Sequence, residues 1–180
     1  MSDIGFDPFA IFRVLVEQGV RFVVIGGVAT GLRGAPDLTG DLDICYARDD
    51  ENLERLVAAL RELDARLRVA RETEDVPFHP DAMSLKNGDS FTFRTNQGDF
   101  DILGTPSGTD GFGDLDRHAD EFVLSHGLAV RVASVDDLIR MKRASARTKD
   151  LLHLEHLAAL REEIEAFRAA GLDPQQGDPS

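Results

Sequence analysis

The sequence predicts an α/β domain, and three observations carry that expectation. Short β-branched or alternating apolar runs, at 21–25, 41–46 and 99–103, are interleaved with stretches whose apolar residues recur at helical spacing. Gly, Pro and Asn-Gly signals punctuate the joins between them. Apolar residues make up 42% of the 180 residues, and no run approaches the roughly 18 uninterrupted apolar residues of a membrane span. The reading is one domain over 1–170, with C-terminal helices from about 134 and a disordered tail at 171–180.

The elements follow in order. Asp7 is a helix N-cap and Pro8 a first-turn residue, with Phe9, Phe12, Leu15 and Val16 spaced helically until Gly19. Residues 21–25 form a strand that stops at Gly26 and Gly27, after which 28–32 has the composition of one or two helical turns. Residues 41–46 alternate with period two and read as a strand; Asp49 or Asp50 then caps a long helix through Leu53, Leu56, Leu60 and Leu63. Residues 71–81 are polar and Pro-punctuated, hence a loop. A three-strand meander is expected next, at 83–86, 90–95 and 99–103, turned by Asn87-Gly88 and by 96–98. A short helix around 114–120 and a strand pair at 122–124 and 128–132 precede the helices at 135–143 and 147–168.

Charge and composition bound the function. With 20 Lys and Arg against 33 Asp and Glu the net charge is −13, which disfavours coating a nucleic acid over the whole surface. The first residues lack a basic region followed by an apolar one, and the single Cys forms no internal disulfide, so a cytoplasmic protein without membrane association is expected.

The chemistry concentrates at 24–44. Asp41 and Asp43 stand two apart on a strand and present both carboxylates to one face, with Leu42 and Ile44 on the other. Like charges so placed favour a hard divalent cation between them. Gly26 and Gly27 let backbone approach a ligand closely, and the helix that begins there turns N–H groups toward an anion. The strand at 98–103 supplies Asp99 and Asp101 on one face, and either could complete a three-acid site for two Mg²⁺. Cys45 shares the face of Asp43 and reads as a small core residue; Phe91 with Phe93 reads as the buried face of a hairpin.

Thirteen residues, 28–40, separate Gly27 from Asp41. This strand, GG turn, helix, D-x-D strand and later acid resemble the nucleotidyltransferase superfamily. Within it the chain is similar to the AbiEii-like and MenT-like bacterial nucleotidyltransferases of toxin–antitoxin pairs. The likeness lies in Gly26, Gly27, Ala29, Gly34, Thr39, Asp41 and Asp43, then Lys142, Ala144 or Ala146, Arg147, Lys149 and Asp150, and spans about 21–157. Asp37 departs from it, since the family carries Arg there and Arg33 is near enough to substitute; His153 stands where a second Asp is common.

The resemblance implies a nucleotidyltransferase-like α/β fold, a short mixed sheet flanked by helices. It implies Asp41, Asp43 and Asp101 as metal ligands and catalytic acids, with Asp101 taken at the family's third acid and Asp99 as its alternative. Gly26, Gly27, Arg33, Thr39 and Lys142 would meet the NTP. Residues 131–149 hold six basic side chains against Asp136 and Asp137, a +4 island in a chain whose remainder carries −17, which suits a triphosphate. NMP would pass to an acceptor hydroxyl with release of pyrophosphate. By family likeness the acceptor is tRNA, with a cognate antitoxin protein as partner; by size and acidity it is a cationic antibiotic of the aminoglycoside kind. A non-catalytic nucleotide-binding module is the third reading.

Overall fold

The computed structural model describes residues 5–35, 39–68, 79–145 and 150–171. Asp37, Arg147, Lys149, the side chains of Asp150 and His153, and 172–180 of the expected tail lie outside that description. The chain begins with α1 (Pro8–Glu17), β1 (Phe22–Ile25), α2 (Gly26–Leu32), β2 (Asp41–Tyr46) and α3 (Asp50–Glu62). Next come β3 (Arg66–Leu67), α4 (Ala82–Asn87), β4 (Ser90–Thr95), β5 (Gly98–Leu103) and α5 (Phe112–Asp116). After β6 (Asp120–Val123) and β7 (Ala129–Val132) follow α6 (Val135–Ser145) and α7 (Asp150–Ala169).

The strands form one mixed sheet in the order β3-β4-β5-β2-β1-β7-β6. β1 runs antiparallel to β2 and parallel to β7, and β2 runs parallel to β5. Phe22, Val24, Ile44 and Tyr46 share one face by register, continued by Leu42, Phe100 and Ile102. The Phe12 ring of α1 stacks on Phe22 at 6.2 Å, so α1 covers that face. Asp41 and Asp43 therefore point to the opposite face. Asn52, fully buried on α3, accepts from the Arg21 N–H at 2.7 Å and donates to the carbonyls of Arg21 and Ala47, tying the start of β1 to the end of β2.

Local chemistry explains the ends. The Asp7 side chain caps α1 by accepting from Ala10 N at 3.0 Å, and Asp49 caps α3 by accepting from Asn52 N at 3.1 Å, both as expected. The expected strand at 83–86 is instead the helix α4. Asp81 accepts from Ser84 N at 2.8 Å and from Ser84 Oγ at 2.6 Å, which starts a helix that Asn87-Gly88 ends. The Asn-Gly pair thus stops a helix and does not turn a hairpin. A Cβ at Gly88 would lie 2.8 Å from an edge carbon of the Phe91 ring, so a side chain there would displace that ring. The remaining hairpin, β4 to β5 across Asn96 and Gln97, forms as expected. Smaller differences are a start of α2 at Gly26, earlier than 28, and the two-residue edge strand β3, too short to carry a period. The short helix α5 ends at Asp116, so that β6 already begins at Asp120, where the sequence predicts a helix over 114–120 and a strand at 122–124. No helix among the described residues is long and apolar enough to cross a membrane.

Candidate active site

β2 and β5 bring the acids together. Parallel pairing sets Asp43 beside Asp101 and Asp41 beside Asp99. Asp41, Asp43 and Asp101, all half-buried, each offer a carboxylate oxygen within 4.8 Å of the others. Asp99 points away: its Oδ2 takes Arg68 Nη1 at 3.0 Å and its Oδ1 takes Arg94 Nε at 3.3 Å. The geometry thus gathers Asp101, and not its alternative, with the D-x-D pair.

Burial and the Asp41 charge push the Asp101 carboxyl up to about 6, against a smaller opposing pull from Arg68 and a hydrogen bond from the Thr92 hydroxyl. Its Oδ1 is buried with no hydrogen-bond partner. A buried carboxylate oxygen without a donor, beside two further carboxylates, is the arrangement a bound cation completes. The residues therefore fit a divalent metal.

That crowding has a measurable consequence. Because the Asp101 carboxyl holds its proton more tightly folded than unfolded, the cation-free protein loses stability as pH rises from about 4 through about 6. Asp101→Asn is expected to melt several degrees higher than the wild type at neutral pH without divalent cation, the gap closing as pH falls toward about 4. Thermal melts of both proteins across that range check it.

The backbone closes the site from the β1 side. Ile25 pairs with Asp43, so the following Gly26 lies beside that carboxylate. Gly26 has φ +67°, and a Cβ there would lie 2.9 Å from Asp43 Cγ and closer still to its Oδ2. Thr39 Oγ1 donates to Asp41 Oδ1 at 2.5 Å, orienting the first acid. Gly26 and Thr39 are thus gathered with the acids, Gly27 follows Gly26 in the first turn of α2, and Lys142 is half-buried in the last turn of α6.

Arg33 is placed otherwise. Its guanidinium, 8% exposed, donates to Asp120 Oδ2 at 2.7 Å and to the carbonyls of Val132 and Ala133 at 3.0 Å, and lies over the Phe122 ring. Every bond ties α2 to β6 and β7, so the structure turns this guanidinium to those strands and does not gather it with the acids. Arg33→Ala is expected to cost about 3 kcal/mol by leaving these acceptors unpaired. Urea unfolding measures it.

Cys45 is buried and donates to Gly104 O at 3.5 Å, and burial pushes its thiol up to about 12, in keeping with a core residue. Sequence reasoning missed Thr92, Arg94 and Arg68 around the acids. The first two were within reach: a tight turn at Asn96 and Gln97 sets Thr92 opposite Asp101 and Arg94 opposite Asp99. Arg68 was not, because β3 gives no strand signal.

No protein-family model and no curated protein matches the chain. Solved structures match its fold. The lincosamide antibiotic adenylyltransferase LnuA, with lincomycin bound, aligns at TM-score 0.58 and 12% identity over 87% of this chain and 99% of that one. The solution structure of the antibiotic-resistance factor ANT(2'')-Ia aligns at TM-score 0.52 and 16% identity over 90% and 91%. Its crystal structure in complex with adenylyl-2''-tobramycin gives TM-score 0.51 at 16% identity over 89% and 91%. The chain has the fold of the nucleotidyltransferases, as the residues at 24–44 led one to expect. These structures show a shared fold and do not bear on the narrower AbiEii-like or MenT-like resemblance.

Proposed function

We propose that the protein is a Mg²⁺-dependent nucleotidyltransferase that moves NMP from an NTP to an acceptor hydroxyl and releases pyrophosphate. The observation that supports it most is the cluster of Asp41, Asp43 and Asp101 with the Asp101 Oδ1 buried and unpartnered. Asp41, Asp43 and Asp101 would hold two cations. When bound, these lower the pKa of the attacking hydroxyl and neutralise the charge that develops on the leaving pyrophosphate.

The chain's own residues do the positioning. Thr39 fixes the Asp41 rotamer, and Gly26 keeps the Asp43 carboxylate clear of any side chain at the head of α2. The triphosphate lies over Gly26 and Gly27, where absent side chains admit it to the backbone, and Lys142 meets its phosphates, as the sequence resemblance implies. The acceptor reading from that resemblance is tRNA, with a toxin role and a cognate antitoxin. The second reading is a small cationic antibiotic, favoured by the fold shared with LnuA and ANT(2'')-Ia and by the net charge of −13.

Titrating Mg²⁺ or Mn²⁺ into the protein by calorimetry, alone and with ATP, tests the site. Binding that ATP strengthens and Asp43→Asn removes supports the proposal; equal heats from the two proteins contradict it.

A further inference from the structure

The edge of the sheet away from the acids holds a second cavity. It has a volume of about 500 Å³ and lies where α6 and α7 meet the start of β6. In the sheet order β1 and β7 stand between β2 and β6, which puts this edge roughly 14 Å from the D-x-D strand. One wall is the start of α6, where the Ser134 hydroxyl accepts from Asp137 N at 3.1 Å. The other is a single face of α7: Arg161, Ile164, Glu165 and Arg168 recur at helical spacing and all line the cavity.

Two polar atoms in these walls are buried without a hydrogen-bond partner, and they are of opposite kind. Asp137, its side chain 7% exposed, gives Oδ1 to Arg140 Nη2 at 2.7 Å, while its Oδ2 accepts no hydrogen bond. His118 lines the cavity and sets its Nδ1 3.4 Å from Oδ2, whereas Arg140 does not line it. Oδ2 is therefore the oxygen on the cavity side. Arg161 Nε is the matching donor. It is buried and unbonded, 3.9 Å from Glu165 Oε1, and the Nη1 of the same guanidinium lies 3.5 Å from Asp136 Oδ1. Arg168, exposed at the rim, has no ion pair among the described residues. A buried charged group left without its hydrogen bond is costly, so a ligand that brings a donor to one wall and an acceptor to the other gains at both.

We propose that this cavity is a binding site for a small zwitterion of the amino-acid or dipeptide class, its ammonium donating to Asp137 Oδ2 and its carboxylate accepting from Arg161 and Arg168. The lining charges select that class. Arg33 is taken by Asp120 at 2.7 Å, and of the rest Arg161 and Arg168 balance Asp136 and Glu165. A polyanion or a polycation would meet as many like charges as opposite ones, whereas a zwitterion meets each sign at its own end. Packed helices stand roughly 8–10 Å apart axis to axis, a step that a molecule of one or two residues spans between side chains of α6 and α7. Ile164 gives its apolar part a surface. None of these residues belongs to the acid cluster, so the site stands independently of the transfer reaction proposed above.

Calorimetry on the full chain with the free amino acids and a set of dipeptides tests the site, followed by the N-acetyl and amide forms of the tightest binder and by ribose 5-phosphate. At least one free zwitterion is expected to bind, and each blocked form, which lacks one charge, to bind about tenfold or more weakly. Arg168→Gln is expected to weaken binding by about the same factor while leaving the melting temperature of the ligand-free protein unchanged, since its side chain lies exposed. Asp137→Asn should remove binding too, but it also disturbs the pair with Arg140, so Arg168→Gln is the deciding variant. Arg13→Gln, the same charge change on exposed α1, is expected to bind like the wild type.

No binding of any free amino acid or dipeptide would overturn the proposal. So would equal affinity for the blocked forms, equal affinity of Arg168→Gln and the wild type, or tighter binding of ribose 5-phosphate than of every zwitterion.

Discussion

Asp41→Asn is expected to lower turnover by about 10³-fold or more, because the cations it helps hold supply several kcal/mol of transition-state stabilisation. The loss should be in kcat and in metal affinity together, since one carboxylate charge is removed while the hydrogen bond from Thr39 Oγ1 can still be accepted by the amide oxygen. Folding should be spared. Asp41 is half-buried on the open sheet face, and replacing a charge that repels Asp101 with a neutral group of the same shape removes strain from the cation-free protein. The expected signature is therefore opposite signs: activity lost, cation-free thermal stability kept or raised. Turnover and melting temperature measured on one preparation check it.

Gly26→Ala is the second large effect and acts without touching a titratable group. The added Cβ would meet the Asp43 carboxyl, with Cγ at 2.9 Å and Oδ2 nearer, and the residue would stay at φ +67°. A left-handed backbone costs an L-residue about 1–2 kcal/mol. The larger consequence is positional. Asp43 must leave its place beside Gly26, disturbing a cluster whose oxygens lie within 4.8 Å of one another. A shift of about 1 Å at reacting groups costs on the order of 10²-fold in rate. Gly26→Ala should thus bind Mg²⁺ weakly and turn over at least that much more slowly, while unfolding in urea only slightly earlier than the wild type. Gly31→Ala, on the same helix with open space around its Cβ position, is the matched control and should change neither.

Much of this was legible in the sequence, for identifiable reasons. Asp7 with Pro8, and Asp49, are capping chemistry that needs no tertiary context, and both helices start there. The alternation at 41–46 gave the face of Asp41 and Asp43 directly, because the side-chain period of a strand is fixed. The region 83–86 went the other way: its apolar Met83 and Leu85 fit two strand positions as well as a helical turn, and only the Asp81 side chain on Ser84 decides for the helix. The pairing of β2 with β5 is non-local and leaves no sequence signal, so which of Asp99 and Asp101 joins the cluster depended on register and on the arginines that draw Asp99 aside. Arg33 is near the glycine turn in sequence, but its partners in the fold, the carbonyls of Val132 and Ala133, lie a hundred residues on and leave no local signal.

That Asp41, Asp43 and Asp101 form a working transfer site is tested most directly by following label and released pyrophosphate. The full chain is incubated with α-labelled NTPs, Mg²⁺, total tRNA and an aminoglycoside panel, beside Asp41→Asn. The expected result is Mg²⁺-dependent transfer of labelled NMP with matching pyrophosphate release, absent in Asp41→Asn. Transfer of equal rate by the variant, or its persistence when Mg²⁺ is chelated, would contradict it.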